Sequence, residues 1–472
     1  MIDEGMAADR RQKMAVNLDG CDHAPAPVGR IAEERALAAE AQRSVRLDRL
    51  KPRLAMAAGQ TKPHLGPLSP GCRICTEGRW SCLFINGVCN CRCFYCPSPQ
   101  NEIGGPTTNR VPFADAGDYA DYVDRFDYRG VSISGGEPLL TPDRTLGFLQ
   151  RVRRSDDRRV HLWLYTNGTR LTADLVGRLH DAGLDEIRFD LSAAAYDLSP
   201  VRLAAGRIPC VTVEIPAIPE DARTVADLLP AMREAGVDHL NLHQLRLTPH
   251  NQANLRQRGY TFLHGDGTTV LESELAALDI MLAAVEGDVD LPVNYCSFVY
   301  KHRFQRAAAR RNSARFIVKP HESITENGYI RTLSLVGEPQ RIAAQAQRLA
   351  DGGAAGRLWA LGQAGERLFF HATLWPMVDF TGVDLGIGYA EALLCPHITY
   401  RRAFTNVPLN PNRALVVERQ PVCAELKPGD AQRRRFAERI FRSGPSAVDH
   451  PGAPADAFSA FEWIRPGLQA YR

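Results

Sequence analysis

The sequence predicts an α/β fold in which six β/α units form a partial, parallel-stranded barrel. Short apolar runs typical of strands alternate with helical patterns from about residue 82 to 297, the order that builds βαβ units. Several helical patterns end in glycine, as at Gly183 and Gly236, which is a common C-terminal stop signal. Polar residues follow several of the strand-like runs, so we expect one rim of the barrel to carry the functional groups.

Composition indicates a folded protein without export or membrane signals. The 472 residues are 44% hydrophobic and 24% charged, and the net charge of +3 does not favour a nucleic-acid partner. No run of about 18 apolar residues predicts a membrane span, and residues 1–58 contain no apolar run of signal-peptide length. We therefore expect a cytoplasmic protein, in which clustered cysteines are metal ligands or reactive thiols.

The first predicted domain is an N-terminal extension over residues 1–71. Residues 1–29 are polar and we expect them to be disordered or loosely attached. Residues 30–58 are alanine-rich and predict a helix. Residues 59–71 contain Pro63, Pro67 and Pro70, which indicates a linker.

The second predicted domain is the barrel, over residues 72–300. Its six predicted strands cover residues 82–87, 130–134, 161–166, 186–191, 210–216 and 239–245. Helices are predicted between them, for example at 142–153, 172–182 and 222–235. Residues 291–296 are apolar enough to form an extra strand that closes one side.

The third predicted domain, over residues 301–472, is of the α+β class and ends in a tail. A basic helix is predicted at 301–315, with Arg303, Arg306 and Arg310 on one face. This face is interpreted either as a phosphate, carboxylate or nucleic-acid contact or as solvated surface. A turn at 326–329, strands at 330–336, 358–361 and 367–372, and a helix at 339–349 follow. Residues 396–412 are predicted to be an irregular loop, and a short basic helix is expected after residue 427.

A cysteine-rich stretch immediately follows the first predicted barrel strand. Seven of the twelve cysteines lie between residues 72 and 96, and Cys89, Cys93 and Cys96 have the spacing Cys-x3-Cys-x2-Cys. Three thiolates on one loop suit an iron–sulfur cluster that leaves one iron open to another ligand. The pairs Cys72-x2-Cys75 and Cys93-x2-Cys96 also allow a structural zinc site, which remains an alternative.

Polar groups stand at the ends of the next predicted strands. Two adjacent glycines let a backbone approach a ligand closely, and a carboxylate beside them accepts hydrogen bonds from an amine. The candidate cofactor-binding residues are Gly135, Gly136, Glu137, Asn167, Asp190, Ser192 and Glu214.

The cysteine spacing followed by Gly-Gly-Glu resembles the radical S-adenosylmethionine (SAM) superfamily over about residues 72–300. The resemblance implies that Cys89, Cys93 and Cys96 bind a [4Fe-4S] cluster whose open iron is chelated by SAM. It implies further that Gly135, Gly136 and Glu137 hold the amino group of SAM. Asp190 or Ser192 would lie near the ribose, and residues near Glu214 would also lie by SAM.

The resemblance also implies an activity and partners. The enzyme would cleave SAM reductively to a 5′-deoxyadenosyl radical that takes a hydrogen from a small-molecule or peptide substrate. An electron donor such as flavodoxin or ferredoxin would serve it. The sequence identifies neither the substrate nor a catalytic residue.

The remaining thiols are open to several interpretations. The segments 71–78 and 294–301 are similar to ones in a subgroup of that superfamily. Cys72 and Cys75 are therefore interpreted as ligands of a second metal, with Cys91 or Cys82, as a site for a thiophilic substrate, or as reduced thiols. The scattered cysteines, Cys296 among them, are interpreted as buried small hydrophobic residues.

Two other functions remain as alternatives. One is the transfer of a 3-amino-3-carboxypropyl group from SAM to a soft acceptor such as arsenic(III), as in arsinothricin-type biosynthesis, to which the extra thiols are suited. The other is a zinc-stabilised RNA-binding protein in which the helices that carry Arg303 and Arg433 contact RNA.

Overall fold

The computed structural model describes residues 29–155, 160–441 and 457–471, which fall into two compact units. The first unit contains residues 29–306 and 466–471, and the second contains residues 307–441 and 457–465. The loose stretch predicted for residues 1–29 lies outside the described residues, except for its last residue. Within these ranges, every helix is too short or too polar to cross a membrane.

The first unit combines helices with a large sheet. Its helices, in chain order, are α1 Glu33–Leu50, α2 Pro70–Glu77, α3 Ala116–Arg125, α4 Pro142–Ser155, α5 Ala173–Asp181, α6 Ser199–Ala204, α7 Ala222–Glu234, α8 Gln252–Arg256, α9 Leu271–Glu286 and α10 Phe298–Tyr300. A π-helical turn, Lys301–Gln305, leads from α10 into α11, Arg306–Ala314. The strands are β1 Leu54–Ala57, β2 Lys62–Leu65, β3 Trp80–Val88, β4 Asn101–Glu102, β5 Thr107–Thr108, β6 Val111–Pro112, β7 Gly130–Gly135, β8 His161–Thr166, β9 Glu186–Phe189, β10 Cys210–Pro216, β11 His239–His243, β12 Phe262–His264, β13 Thr268–Val270 and β14 Val293–Cys296.

Seven parallel strands form the partial barrel that the sequence predicts. They are neighbours in the order β3, β7, β8, β9, β10, β11, β14, so each crossover adds the next strand on the same side. Six of them are the predicted strands, and β14 is the predicted extra strand. At the two edges, β2 pairs antiparallel with β14 and β5 pairs antiparallel with β3. The prediction of a partial barrel is confirmed.

Both faces of the barrel strands are buried, but they differ in polarity. Successive side chains of a strand point to opposite faces, so Val213 and Leu240 belong to the apolar face that the helices cover. Glu214 and Asn241 belong to the opposite face, and their side chains contact each other inside the barrel. Buried polar groups need hydrogen-bond partners, and a ligand bound in this polar interior can supply some of them.

The N-terminal extension differs from the prediction in its second half. The predicted helix ends at Leu50, and a β-hairpin made of β1 and β2 replaces its end and part of the predicted linker. Strand β2 pairs with β14, which is distant in sequence, so the helix propensity of the local residues does not indicate these hydrogen bonds. Tertiary pairing of this kind overrides a weak helix preference.

The second unit is an α+β structure, as predicted for this region. Apart from Arg306, helix α11 belongs to this unit; its other helices are α12 Pro339–Asp351, α13 Asp430–Phe441 and α14 Ser459–Glu462. Its strands are β15 Glu322–Ile324, β16 Ile330–Val336, β17 Trp359–Leu361, β18 Arg367–Phe370, β19 Asp384–Cys395, β20 Phe404–Asn410 and β21 Arg413–Pro421. The antiparallel sheet has the order β17, β18, β16, β19, β21, β20, and β15 pairs with β16. Leu335, Ile342, Phe370 and Ile387 belong to its fully buried core.

The prediction of an irregular loop over residues 396–412 is wrong in part. Residues 404–410 form β20, which pairs with β21. The strand tolerates Pro408 because it lies at the edge of the sheet and its register shifts between Pro408 and Asn410.

Candidate functional site

The loop that follows β3 carries Cys89, Cys93 and Cys96 as free, partly buried thiols. The backbone N–H of Cys96 donates to the carbonyl oxygen of Cys93 at 3.1 Å, and the Cys96 thiol contacts the carbonyl oxygen of Ser98 at 3.3 Å. Burial raises the pKa of Cys93 to about 12, so this thiol keeps its proton until a metal displaces it. Across the described ranges, no three His, Cys, Asp or Glu side chains are gathered as a metal-binding group.

Asn167, at the end of β8, contacts this cysteine loop. Its side-chain N–H group donates to the sulfur of Cys91 at 3.3 Å and lies 3.8 Å from the sulfur of Cys89. It also donates to the side-chain oxygen of Asn90 at 2.9 Å. The third barrel strand therefore holds the first part of the loop.

Tyr95 connects the other part of the loop to the end of β9. Its hydroxyl group lies 3.1 Å from a carboxylate oxygen of Asp190 and 2.6 Å from the hydroxyl oxygen of Ser192. Ser192 in turn donates to Asp190 at 2.5 Å. Burial raises the pKa of Asp190, and the hydrogen bonds from Ser192 and Tyr95 offset only part of that rise. The structure therefore brings two predicted site residues together with the cysteine loop.

The two glycines at the end of β7 are required by the neighbouring strand. A Cβ atom on Gly136 would lie 2.1 Å from the carbonyl oxygen of Val88, and one on Gly135 would lie 2.2 Å from that of Asn86. Gly135 also has a φ of +137°, which side chains rarely adopt. The backbone N–H of Glu137 donates to Val88 at 2.7 Å. This junction fixes where the cysteine loop leaves β3.

Glu137 joins the ends of β7 and β8. One carboxylate oxygen accepts from the N–H of Leu139 at 2.9 Å and the hydroxyl of Thr166 at 2.8 Å, and the other accepts from the N–H of Asn167 at 2.7 Å. Burial raises its pKa despite these donors. In this structure the carboxylate of Glu137 accepts hydrogen bonds from groups of the protein, and its contact with the SAM amino group stays a prediction.

Comparison with known proteins places these features in a family. The model of the radical SAM superfamily matches residues 83–209, which include the cysteine loop and the ends of β7, β8 and β9. A protein of Methanocaldococcus jannaschii, provisionally named a glycyl-radical enzyme activating enzyme, is 30% identical over 275 residues, which make up 56% of this chain and 72% of that protein. The chain belongs to the radical SAM superfamily.

Two further matches cover smaller shares of their proteins. A protein of Methanococcus maripaludis, provisionally named a GTP 3′,8-cyclase, is 26% identical over 195 residues, covering 35% of this chain and 63% of that protein. The solved structure of the radical SAM methyltransferase TsrM from Kitasatospora setae matches with a TM-score of 0.30 and 16% identity, covering 38% of this chain and 39% of that chain. The chain thus spans less than two thirds of these two proteins.

Membership of the radical SAM superfamily implies a [4Fe-4S] cluster and SAM as cofactors. The donor set fits such a cluster, because three free thiols lie on one short loop and no disulfide bond engages them. Hydrogen bonds from groups that do not ligate the metal tune iron–sulfur sites. The side-chain N–H group of Asn167, which points at the sulfurs of Cys89 and Cys91, is such a group.

Glu214 is part of a buried ionic network inside the radical SAM barrel. Its carboxylate pairs with Arg188 at 2.6 Å and with His243 at 2.9 Å, and it accepts from Asn241 at 3.0 Å. Burial alone raises the pKa of Glu214, but Arg188 and His243 lower it well below its usual range. The contact of Glu214 with SAM stays a prediction.

Arg188 is the centre of that network, and sequence reasoning missed it. Its guanidinium group pairs with Glu186 at 2.9 Å as well as with Glu214. Burial alone raises the pKa of Glu186, but Arg188 and His161 lower it to about 2. The signal available in the sequence is the run of charged residues at alternate positions of an otherwise apolar strand, 186–189.

Helix α2 presents the upstream cysteines to the same interior. The N–H of Gly71 donates to Glu186 at 3.0 Å, and the sulfur of Cys72 accepts from Asn241 at 3.2 Å. The sulfur of Cys75 accepts from the hydroxyl of Tyr300 at 3.2 Å and from Gln305 at 2.6 Å. The segment 71–78 thus places two hydrogen-bonded thiols, those of Cys72 and Cys75, against the interior of the barrel.

Proposed function

We propose that this enzyme binds a [4Fe-4S] cluster through Cys89, Cys93 and Cys96 and cleaves SAM to start radical chemistry on a small-molecule or peptide substrate. When bound, these cofactors supply a one-electron cleavage of a C–S bond of SAM. The proposal is supported above all by the way in which Asn167 and Tyr95 tie the cysteine loop to the ends of β8 and β9.

The chain's own residues bind and orient the cofactors in this proposal. Gly135, Gly136 and Glu137 hold the amino group of SAM at the junction of β3 and β7. Asp190 and Ser192 accept and donate hydrogen bonds at the ribose hydroxyl groups.

Two aromatic rings shield this site from water. Phe94 and Tyr95 pack edge to face with ring centroids 5.2 Å apart. Exclusion of water by these rings protects reactive species and keeps the local dielectric constant low.

We do not extend the proposal to a second metal at Cys72 and Cys75. Both sulfurs accept hydrogen bonds from amide or hydroxyl groups, and a zinc or iron centre would need further ligands. The RNA-binding alternative is also weakened, because Arg303 pairs with Asp266 at 2.8 Å and Arg433 pairs with Asp430 at 3.0 Å.

The test is anaerobic reconstitution of the full-length protein with iron and sulfide. We expect about four irons per chain and release of 5′-deoxyadenosine from SAM under reduction. Replacement of Cys89, Cys93 and Cys96 together by alanine should abolish both signals. Cys91→Ala is the matched control, since it removes a thiol from the same loop outside the spacing. Full iron content in the triple variant, or zinc in place of iron, would contradict the proposal.

The same assay separates the two modes of SAM cleavage. 5′-Deoxyadenosine supports hydrogen abstraction, whereas 5′-methylthioadenosine supports transfer of the 3-amino-3-carboxypropyl group to a soft acceptor. Adding reduced flavodoxin or ferredoxin in place of a chemical reductant tests the proposed electron donor.

The free thiols of the described residues fit a reducing, cytoplasmic location. The α+β domain predicted for residues 301–472 is proposed to serve substrate selection.

A further inference from the structure

Lys62 on β2 is a fully buried lysine whose hydrogen-bond partner is a thiol. Its ammonium group donates to the sulfur of Cys296 at 3.3 Å and lies 4.4 Å from the ring centroid of Tyr300. Across the described ranges, no carboxylate oxygen lies within ion-pair distance of this ammonium group. A buried cation is stable only when an anion or strong acceptors face it, so the thiolate form of Cys296 is its natural partner.

Besides Lys62 of β2, the groups around Cys296 come from α2, β10, β11, α10 and the π-helical turn that follows α10. His243, its register neighbour on β11, is bonded through one ring nitrogen to Lys301 at 2.9 Å and through the other to Glu214 at 2.9 Å. The charged and titratable groups that face this position are Lys62 from β2, Cys72 and Cys75 from α2, Glu214 from β10, His243 from β11, and Tyr300 and Lys301 beyond β14. Glu214 is already paired with Arg188 and His243, so cations dominate the surroundings of the thiol.

Cys210 provides a contrast on the same sheet. It is as buried as Cys296, but its sulfur contacts the hydroxyl of Thr212 at 3.8 Å and burial raises its pKa. Burial alone also raises the pKa of Cys296, but the nearby groups Lys62, His243 and Lys301 lower it to about 6. Cys296 is buried, as the sequence suggested, and its sulfur is in addition the acceptor of a buried ammonium group.

We propose that Cys296 is a thiolate nucleophile inside the barrel, activated by Lys62, and that this site takes an electrophilic carbon of a small molecule. The sulfur lone pair forms an S–C bond while the leaving group departs with the electrons of its bond to that carbon. No oxidant or proton transfer is needed, and the departing anion replaces the thiolate as the counterion of Lys62. Cys296 ends a barrel strand, on the rim where such folds bind ligands.

The thiol of Cys296 belongs to β14 and not to the cysteine loop. The side chain of His243, next to Cys296, is 23% exposed, and Cys296 itself is 8% exposed. The proposal can therefore be tested without SAM, and its failure would leave the SAM-cleavage assay unaffected.

The test is the pH profile of alkylation by iodoacetamide in the full-length, unmutated protein, after removal of reductant under anaerobic conditions. Peptide mass spectrometry follows Cys296 and, as internal reference, Cys210. We expect the Cys296 rate to be half-maximal near pH 6 and to fall about tenfold between pH 7 and pH 5. Cys210 should remain unmodified at pH 7.

Lys62→Met keeps the thiol and removes the ammonium group. We expect the rate at Cys296 at pH 7 to fall about tenfold or more, with Lys51→Met as the exposed-lysine control that leaves it unchanged. A Cys296 rate in the unmutated protein that still rises about tenfold between pH 7 and pH 9 identifies an ordinary thiol and overturns the proposal. Absence of alkylation up to pH 9 also overturns it, because the site has to admit this small probe.

Discussion

The hydroxyl group of Tyr95 links the cysteine loop to Asp190 and Ser192. Tyr95→Phe keeps the ring that covers the site but leaves the buried carboxylate of Asp190 with one donor fewer. We expect SAM to bind about three- to tenfold more weakly, which corresponds to the loss of about one hydrogen bond, while iron content is unchanged. Equilibrium dialysis with SAM measures this.

The matched control is Tyr119→Phe, which removes a buried hydroxyl group that donates to Ser81 at 3.1 Å. This variant should bind SAM as the unmutated protein does. Equal weakening in both variants would show that the effect reports general destabilisation and not orientation by Tyr95.

Glu186 tests the buried ionic network. Glu186→Gln leaves the guanidinium group of Arg188 with one carboxylate, so we expect the free energy of unfolding to fall by about 3–5 kcal/mol at pH 7. The pKa of Glu186 is lowered from 4.5 to about 2, so its stabilising contribution is complete above pH 4.5 and is lost as pH falls toward 2. The difference between the two proteins should therefore narrow below pH 4.5 in urea unfolding.

An exposed ion pair supplies the control for this variant. Asp279 pairs with Arg46 at 2.7 Å and has a half-exposed side chain. Asp279→Asn should cost less than about 1 kcal/mol, because solvent screens exposed ion pairs. A Glu186→Gln effect as small as this would contradict a structural role for the buried network.

The junction of β3 and β7 depends on a side chain being absent. Gly136→Ala places a Cβ atom against the backbone oxygen of Val88, and neither strand can move without disturbing the hydrogen bond from Glu137 to Val88. We expect a loss of about 1–3 kcal/mol in the free energy of unfolding, together with poorer cluster loading. Urea unfolding and iron analysis measure the two effects.

Gly147 is the matched control within the same β/α unit. It lies in α4, and a Cβ atom there would meet nothing within 4 Å. Gly147→Ala should stabilise the protein by up to about 1 kcal/mol, because alanine is the better helix former. If Gly136→Ala also caused no loss in the free energy of unfolding, the close approach of β3 and β7 at this glycine would not be required for stability.

Elements with a local signal were predictable from the sequence, and those that depend on distant partners were not. Alternation of strands and helices predicted every parallel strand of the barrel, and spacing alone predicted the cysteine loop. Strand β2 has no such signal, because it exists through pairing with β14 more than two hundred residues later. The contact of Lys62 with Cys296 spans 234 positions and was missed for the same reason.

Glu214 illustrates the limit of an argument from resemblance. Its contact with SAM stays a prediction, because the position on the fifth barrel strand does not reveal which cation faces its carboxylate. Arg188, one strand earlier, forms an ion pair with the carboxylate of Glu214 in the structure. Asp190 and Ser192, by contrast, come directly after their strand, where the chain turns towards the cysteine loop, so position alone was informative there.

The molecule as a whole consists of two compact units, each with its own buried core. Leu240 is a fully buried residue of the barrel, and Leu335 is a fully buried residue of the antiparallel sheet. Because each core belongs to one unit, we expect heat unfolding to show two transitions, as in multidomain proteins that depart from two-state behaviour.

A matched pair of core substitutions assigns those transitions. Leu240→Ala and Leu335→Ala should each lower one transition by roughly 5–15 °C, since such changes cost about 3–5 kcal/mol and units of this size lose about 2–4 °C per kcal/mol. Differential scanning calorimetry measures both. The transition that responds to Leu240→Ala should also rise on addition of SAM, because a ligand stabilises the unit that binds it. If each variant shifted both transitions equally, the two cores would unfold as one cooperative structure and the division into units would have no energetic meaning.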